Sequence, residues 1–191
     1  MTEANPRKLT PSQTIGPFFA YALTPKAYDL PELVTGAMAG DGATGERITV
    51  TGRVFDGVGS PVTDAMVEIW QADSTGTYVR PGANAAFNGF GRTESDAEGR
   101  FTFTTLKPGA VSDGKGGLQA PHLSLSLFAR GLMIRLATRI YFADEPANAT
   151  DPVLALVPAS RRNTLIASCV GATYALDIHL QGENETVFFD V

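Results

Sequence analysis

The stretch Ala120-Pro121-His122-Leu123-Ser124-Leu125-Ser126-Leu127-Phe128-Ala129-Arg130-Gly131 alternates apolar and polar side chains. In an extended strand successive side chains point to opposite faces, so Leu123, Leu125 and Leu127 share one face. His122, Ser124, Ser126, Phe128 and Arg130 share the other. The leucine face builds a core, and the opposite face meets something polar. His122 and Ser124, two residues apart on that face, read either as half of a metal site or as polar groups satisfied beneath a loop.

The same period recurs on both sides of this strand. Residues 47–55 alternate towards Val54 and Phe55, and Met66-Val67-Glu68-Ile69-Trp70-Gln71 places Glu68 and Trp70 on one face. Phe101 and Phe103 point one way, Thr102 and Thr104 the other. Thr138-Arg139-Ile140-Tyr141-Phe142 and Tyr174-Ala175-Leu176-Asp177-Ile178-His179-Leu180 continue the series. Asp56-Gly57-Val58-Gly59 and Asp96-Ala97-Glu98-Gly99 are turn signals, the second tightly linking a strand over 91–95 to one over 100–104. Asp151 before Pro152 caps a short helix that Pro158 ends, and a second short helix is expected from Arg161 to Ala167. This spacing predicts an all-β chain: an antiparallel β-sandwich over 47–191, preceded by an extended N-terminal arm and loop over 1–46, with one or two short helices.

Composition narrows the function. With 191 residues, 43% hydrophobic and 18% charged, the chain is long enough and apolar enough for one substantial core. A net charge of −5 with mixed signs argues against nucleic acid or an anionic membrane as partner. No apolar run is long enough to span a bilayer, and the N-terminus lacks the apolar core of a signal peptide. The single cysteine, Cys169, forms no internal disulfide; it reads as a buried structural thiol in a reducing, cytoplasmic setting.

Gly40-Asp41-Gly42-Ala43-Thr44-Gly45 has the spacing of a dinucleotide-binding loop, but a strand follows it where that motif needs a helix. Two histidines and no strand-turn-helix around a serine leave a hydrolytic triad without support. His179, beside Asp177, reads as a partly covered surface group. For His122 the one aromatic oxygen on offer is Tyr78, after Asp73-Ser74-Thr75-Gly76-Thr77, and two donors are too few for a metal site.

Several segments in this order carry a resemblance: Thr10-Pro11-Ser12-Gln13-Thr14-Ile15-Gly16-Pro17-Phe18-Phe19, Glu68-Ile69-Trp70-Gln71-Ala72-Asp73, Phe90-Gly91-Arg92-Thr93, Lys107-Pro108-Gly109, Ala120-Pro121-His122, Leu127-Phe128-Ala129-Arg130-Gly131, and Gly182-Glu183-Asn184-Glu185-Thr186-Val187-Phe188-Phe189. Together they resemble the intradiol ring-cleavage dioxygenase family, and within it the alpha chains of the two-chain enzymes. The resemblance implies a non-haem ferric ion held by two tyrosines and two histidines in the iron-bearing chain. Here Tyr78 and His122 match two of those positions, while Val111 and Ser124 stand at the other two. It therefore implies a vestigial site at Tyr78, Val111, His122 and Ser124, no metal in this chain, and Fe(III) on a homologous beta subunit of an alpha/beta hetero-oligomer. The implied substrates are protocatechuate and O2. The same resemblance places Arg130 and the arm residues Thr14, Gly16, Pro17 and Phe18 against the substrate in the beta chain's pocket. At about 3.3 Å per residue, His122 and Arg130 lie roughly 26 Å apart along a strand, so Arg130 cannot serve the vestigial site of its own fold, and its place at another chain's site is what the resemblance implies. The single-chain members of the family hold their own iron, a reading that Val111 and Ser124 oppose.

Overall fold

The computed structural model describes residues 21–79 and 86–191, and strands form its framework. In chain order these are β1 (Arg47–Phe55), β2 (Met66–Trp70), β3 (Phe90–Glu94), β4 (Arg100–Leu106), β5 (Val111–Ser112), β6 (Leu118–Gln119), β7 (His122–Phe128), β8 (Leu136–Phe142), β9 (Ile166–Val170), β10 (Thr173–Ala175) and β11 (Ile178–His179). One hydrogen-bonded path runs β3-β2-β7-β8-β9-β10-β1-β11, with β4 on the other side of β1; β5 and β6 form a small ribbon of their own. β3-β2-β7-β8 make one layer, and β4-β1-β10/β11 make the other. β9 belongs to both, pairing parallel with β8 and antiparallel with β10.

The expected sandwich is present, and its core lies where the alternation puts it. Leu123, Leu125 and Leu127 of β7 are buried against Val50, Phe101, Phe103, Tyr174 and Ile178 of the facing layer. Burying each such leucine contributes about 1.5–3 kcal/mol. A second, smaller cluster of Ala120, Tyr141, Leu154, Val157 and Leu165 covers the far side of β8. It is built by the excursion between β8 and β9, which contains 3-10 helices at Pro146–Thr150, Leu154–Leu156 and Ala159–Leu165. The C-terminal segment straps this excursion down: Phe189 donates its amide to Ala137, Val187 donates to the Thr164 hydroxyl, and Arg161 donates to the Glu185 carbonyl.

Four local readings change. The ladders are mostly antiparallel, but β10 and β11 run parallel to β1, and β9 runs parallel to β8. The turn at Asp96–Gly99 is as tight as expected, with Asp96 accepting from the Glu98 and Arg100 amides, yet β3 and β4 do not pair. β3 bonds to β2 and β4 to β1, so the turn steps between layers. The helix expected through Ala167 stops at Leu165, because Ile166 and Ala167 are taken into the β8 ladder. Cys169 is half-buried rather than buried, since its strand is covered on one side only. His179 is partly covered as expected, stacked on Phe55 at 5.1 Å.

Candidate functional site

Tyr78 is carried by a loop fixed from within. Asp73 Oδ1 accepts hydrogen bonds from the Thr75 amide, the Thr75 hydroxyl and the Thr77 amide, and its backbone carbonyl accepts from Gly76 and Gly109. Burial pushes the Asp73 carboxyl up, and the Thr75 and Thr77 hydrogen bonds outweigh it and hold the group below its ordinary value. Gly76, at φ 82°, and Gly109 lie backbone to backbone, so a Cβ at either would meet main-chain atoms of the other segment. This contact is the structural reason for glycine in the Lys107-Pro108-Gly109 motif.

The four sequence-predicted positions come to one region. Tyr78 hydrogen bonds to the Ser124 hydroxyl and its ring lies parallel to Trp70, the cross-strand neighbour of Ser124. His122 is buried two residues away, with Nδ1 2.8 Å from the Ala120 carbonyl. Val111 sits in β5 opposite Gln119.

Four further residues, not singled out from the sequence, complete the site. Arg139 lies directly across the β7–β8 ladder from Ser124, and Tyr141 lies across from His122. Arg139 Nη1 donates to Gln119 Oε1 at 2.8 Å and to the Tyr141 hydroxyl at 3.3 Å. Tyr141 in turn donates to Asp151 Oδ1, and Asp151 also accepts from the amides of Ala120, Val153 and Leu154. The alternation of Thr138–Phe142 already put Arg139 and Tyr141 on one face; what it lacked was the register against β7.

Burial, and then the Arg139 guanidinium, hold the His122 imidazole below its ordinary pKa, which keeps it neutral near pH 7. Burial pushes the Tyr78 hydroxyl up against the opposing pull of Arg139 and Ser124, and burial likewise raises Tyr141. The four matched positions do not fit a ferric ion: they carry one phenol, one imidazole, an isopropyl group and a hydroxyl, the further phenol of Tyr141 is committed to Asp151, and a permanent cation lies across the ladder from Ser124.

Arg130 is elsewhere. It lies in the turn after β7, at the opposite end of that strand from His122, with its side chain 83% exposed and Nε 3.3 Å from Asp64 Oδ2. Met133 and Ile134, beside it, are also exposed. Thr14, Gly16, Pro17 and Phe18 fall outside the described residues. Of the segment before β1, Met38 is buried in the core and bonds through its amide to Thr104.

Comparison with known proteins agrees with this architecture. Residues 15–182 match the family described as dioxygenase. The chain is 45% identical to the protocatechuate 3,4-dioxygenase alpha chain of Burkholderia cepacia, over 96% of this chain and 98% of that one. It is 37% identical to the beta chain from the same organism, over 81% and 73%. Among solved structures, the dioxygenase domain of a dioxygenase carbohydrate-binding protein fusion from Streptomyces sp. SirexAA-E superposes with a TM-score of 0.62 at 26% identity, covering 81% of this chain and 89% of that one. On fold, motif order and sequence, the chain belongs to the intradiol dioxygenase family.

Proposed function

We propose that this chain is the non-iron alpha subunit of a protocatechuate 3,4-dioxygenase, completing the pocket of a homologous beta subunit that holds Fe(III). The observation that carries this reading is the donor set at Tyr78, Val111, His122 and Ser124, which has lost one phenol and one imidazole and lies beside Arg139. The 45% identity to an alpha chain points the same way. The reaction is intradiol cleavage of protocatechuate by O2 between the two hydroxyl-bearing carbons. It gives 3-carboxy-cis,cis-muconate, with both oxygen atoms entering the product. A cytoplasmic setting accompanies this role; among the described residues no helix is long and apolar enough to cross a membrane.

This chain's part is to bind and orient. Arg130 stands in solvent at the end of β7, its side chain 83% exposed with Nε 3.3 Å from Asp64 Oδ2, so its guanidinium is accessible to the substrate carboxylate. Exposed Met133 and Ile134 flank it, as suits a surface that docks on the beta chain. By resemblance to the family, the same reading assigns the arm residues Thr14, Gly16, Pro17 and Phe18 to that pocket. Purifying the two chains separately and together tests this. Iron and a tyrosinate-ferric absorption band are expected with the beta chain and absent from this one, and Arg130→Ala in the complex is expected to lower kcat/KM about ten-fold or more with iron content unchanged. Iron in the isolated alpha chain, or unchanged kinetics in the variant, overturns the corresponding part.

A further inference from the structure

We propose that Arg139 is the residue that bars a metal ion from the Tyr78–His122 region, so that restoring the two missing ligands at Val111 and Ser124 is not enough to restore iron. This rests on the reading that the chain holds no iron, and it names what keeps the ion out besides the lost phenol and imidazole.

The first observation is the place of the cation. The β7–β8 register sets Arg139 opposite Ser124 and Tyr141 opposite His122. Residues directly opposite in an antiparallel ladder send their side chains to one face, with Cβ atoms about 5 Å apart. Arg139 therefore rises from the same face as Ser124 and His122, two of the four matched positions. It leans towards the second of these: Nη1 is 3.3 Å from the hydroxyl of Tyr141, whose ring lies 5.9 Å from the His122 ring. Tyr78, the third position, bonds to the Ser124 hydroxyl, and the Arg139 charge bears on it as well as on His122. A guanidinium keeps its charge throughout the pH range in which a protein is folded, and in a half-buried place that charge is poorly screened. A ferric ion among these side chains would meet it at close range.

The second observation is that the cation is fixed there. Nη1 donates to Gln119 Oε1 at 2.8 Å, and Gln119 is the ladder partner of Val111, the fourth position. The same nitrogen donates to the Tyr141 hydroxyl, which in turn donates to buried Asp151. The guanidinium thus ties the β5–β6 ribbon to β8 and, through Tyr141, to the excursion that follows it. These bonds also engage Tyr141, so the nearby second phenol is not offered to an ion. Arg139 supplies both a positive charge and a link between elements, which are the two things a metal would bring to this place.

Fe(III) is titrated into the full-length chain and followed by iron analysis and by the visible absorption of a tyrosinate-iron bond. Wild type is compared with Val111→Tyr/Ser124→His, and with that pair combined with Arg139→Leu or with Arg139→Lys. Adding Arg139→Leu is expected to give uptake of about one equivalent, with the absorption band, at an affinity about ten-fold or more above the ligand-restored chain that keeps Arg139. Adding Arg139→Lys, which retains the charge and loses the planar fork, is expected to leave the site empty. Equal uptake with and without Arg139→Leu, whether high or absent, overturns the proposal. So does iron held as tightly by the lysine form as by the leucine form, which would trace the effect to bonding and not to charge. A cooperative unfolding transition shows that each form is folded; if the triple variant lacks one, Ser124→His with and without Arg139→Leu gives the same comparison with fewer changes. Stoichiometric iron in the wild-type chain overturns the non-iron reading itself, whereas iron in the ligand-restored chain that keeps Arg139 overturns this inference alone.

Discussion

Asp151 accepts four hydrogen bonds with two oxygens, from the Ala120, Val153 and Leu154 amides and the Tyr141 hydroxyl, while 1% exposed. Its role is to turn the start of a 3-10 segment, the strand end before His122 and a buried phenol towards one point. A carboxylate suits this because every partner is a donor. Asp151→Asn would point an N–H at one or two of them, leaving buried donors unpaired at about 1–3 kcal/mol each. We expect unfolding free energy to fall by about 2–4 kcal/mol in denaturant titration, with the near-ultraviolet signal of Tyr141 altered. A loss under about 0.5 kcal/mol would show that the network is not holding this corner.

At the scale of elements, Gly52 in β1 is where the parallel ladder changes hands from β10 to β11. Leu176 donates its amide to the Thr51 carbonyl there, and a Cβ on residue 52 would overlap the Leu176 carbonyl oxygen and press on the Phe101 ring. Gly52→Ala therefore has to push β10 and β11 off β1 or displace Phe101, at about 2–4 kcal/mol. Thermal unfolding and amide exchange of Val54 and Leu180 would register this as a lower midpoint and lost protection, and an unchanged midpoint would refute it. Local patterns disclosed the strands themselves: the Leu123-Leu125-Leu127 face, the Phe101-Phe103 pair and the Asp56 and Asp96 turns stand where alternation and turn chemistry put them. Pairing was not legible in the same way. Nothing near Asp96 says that the strands it joins enter opposite layers, and nothing near Ser124 says that Arg139 lies across from it. Those facts depend on residues far apart in sequence, so half of the candidate site, Tyr78 and His122 with their missing companions, came from motif resemblance, and Gln119, Arg139, Tyr141 and Asp151 came from register.

Across the whole molecule, charge ties the fold to pH. Lys107 bonds to Asp144 at 2.6 Å and holds that carboxyl low; amide hydrogen bonds do the same for Asp96 and Asp113, and Thr75 and Thr77 do so for Asp73 against its burial. A carboxyl whose folded pKa is depressed adds stability above its unfolded value, near 3.8, and this stability disappears as pH falls through the folded value. Glu94, raised by burial, acts with the opposite sign, one group against four. Stability in denaturant titrations should thus hold from about pH 7 to 5 and drop steeply below about pH 4; a level curve down to pH 3 would contradict this balance. At the alkaline end burial pushes Tyr174 up to about 12, and Lys107, bonded to Asp144 and Tyr174, is also raised despite its own burial. Both lose their contribution as pH climbs past about 10.

The pairing of Thr49 with Thr173 sets a timetable for synthesis as well as a shape. β1 is among the first strands to leave the ribosome, and its parallel neighbours are among the last, so the two layers cannot be closed on each other until nearly the whole chain exists. Until then the leucine face of β7 and the phenylalanines of β4 are built but unclosed. Such non-local closure folds slowly and leaves apolar strands open to other chains. Protection of the nascent chain, or prompt release of full-length product, is therefore part of how this subunit reaches its partner: a fragment ending before β10 is an aggregation hazard and not a smaller sandwich.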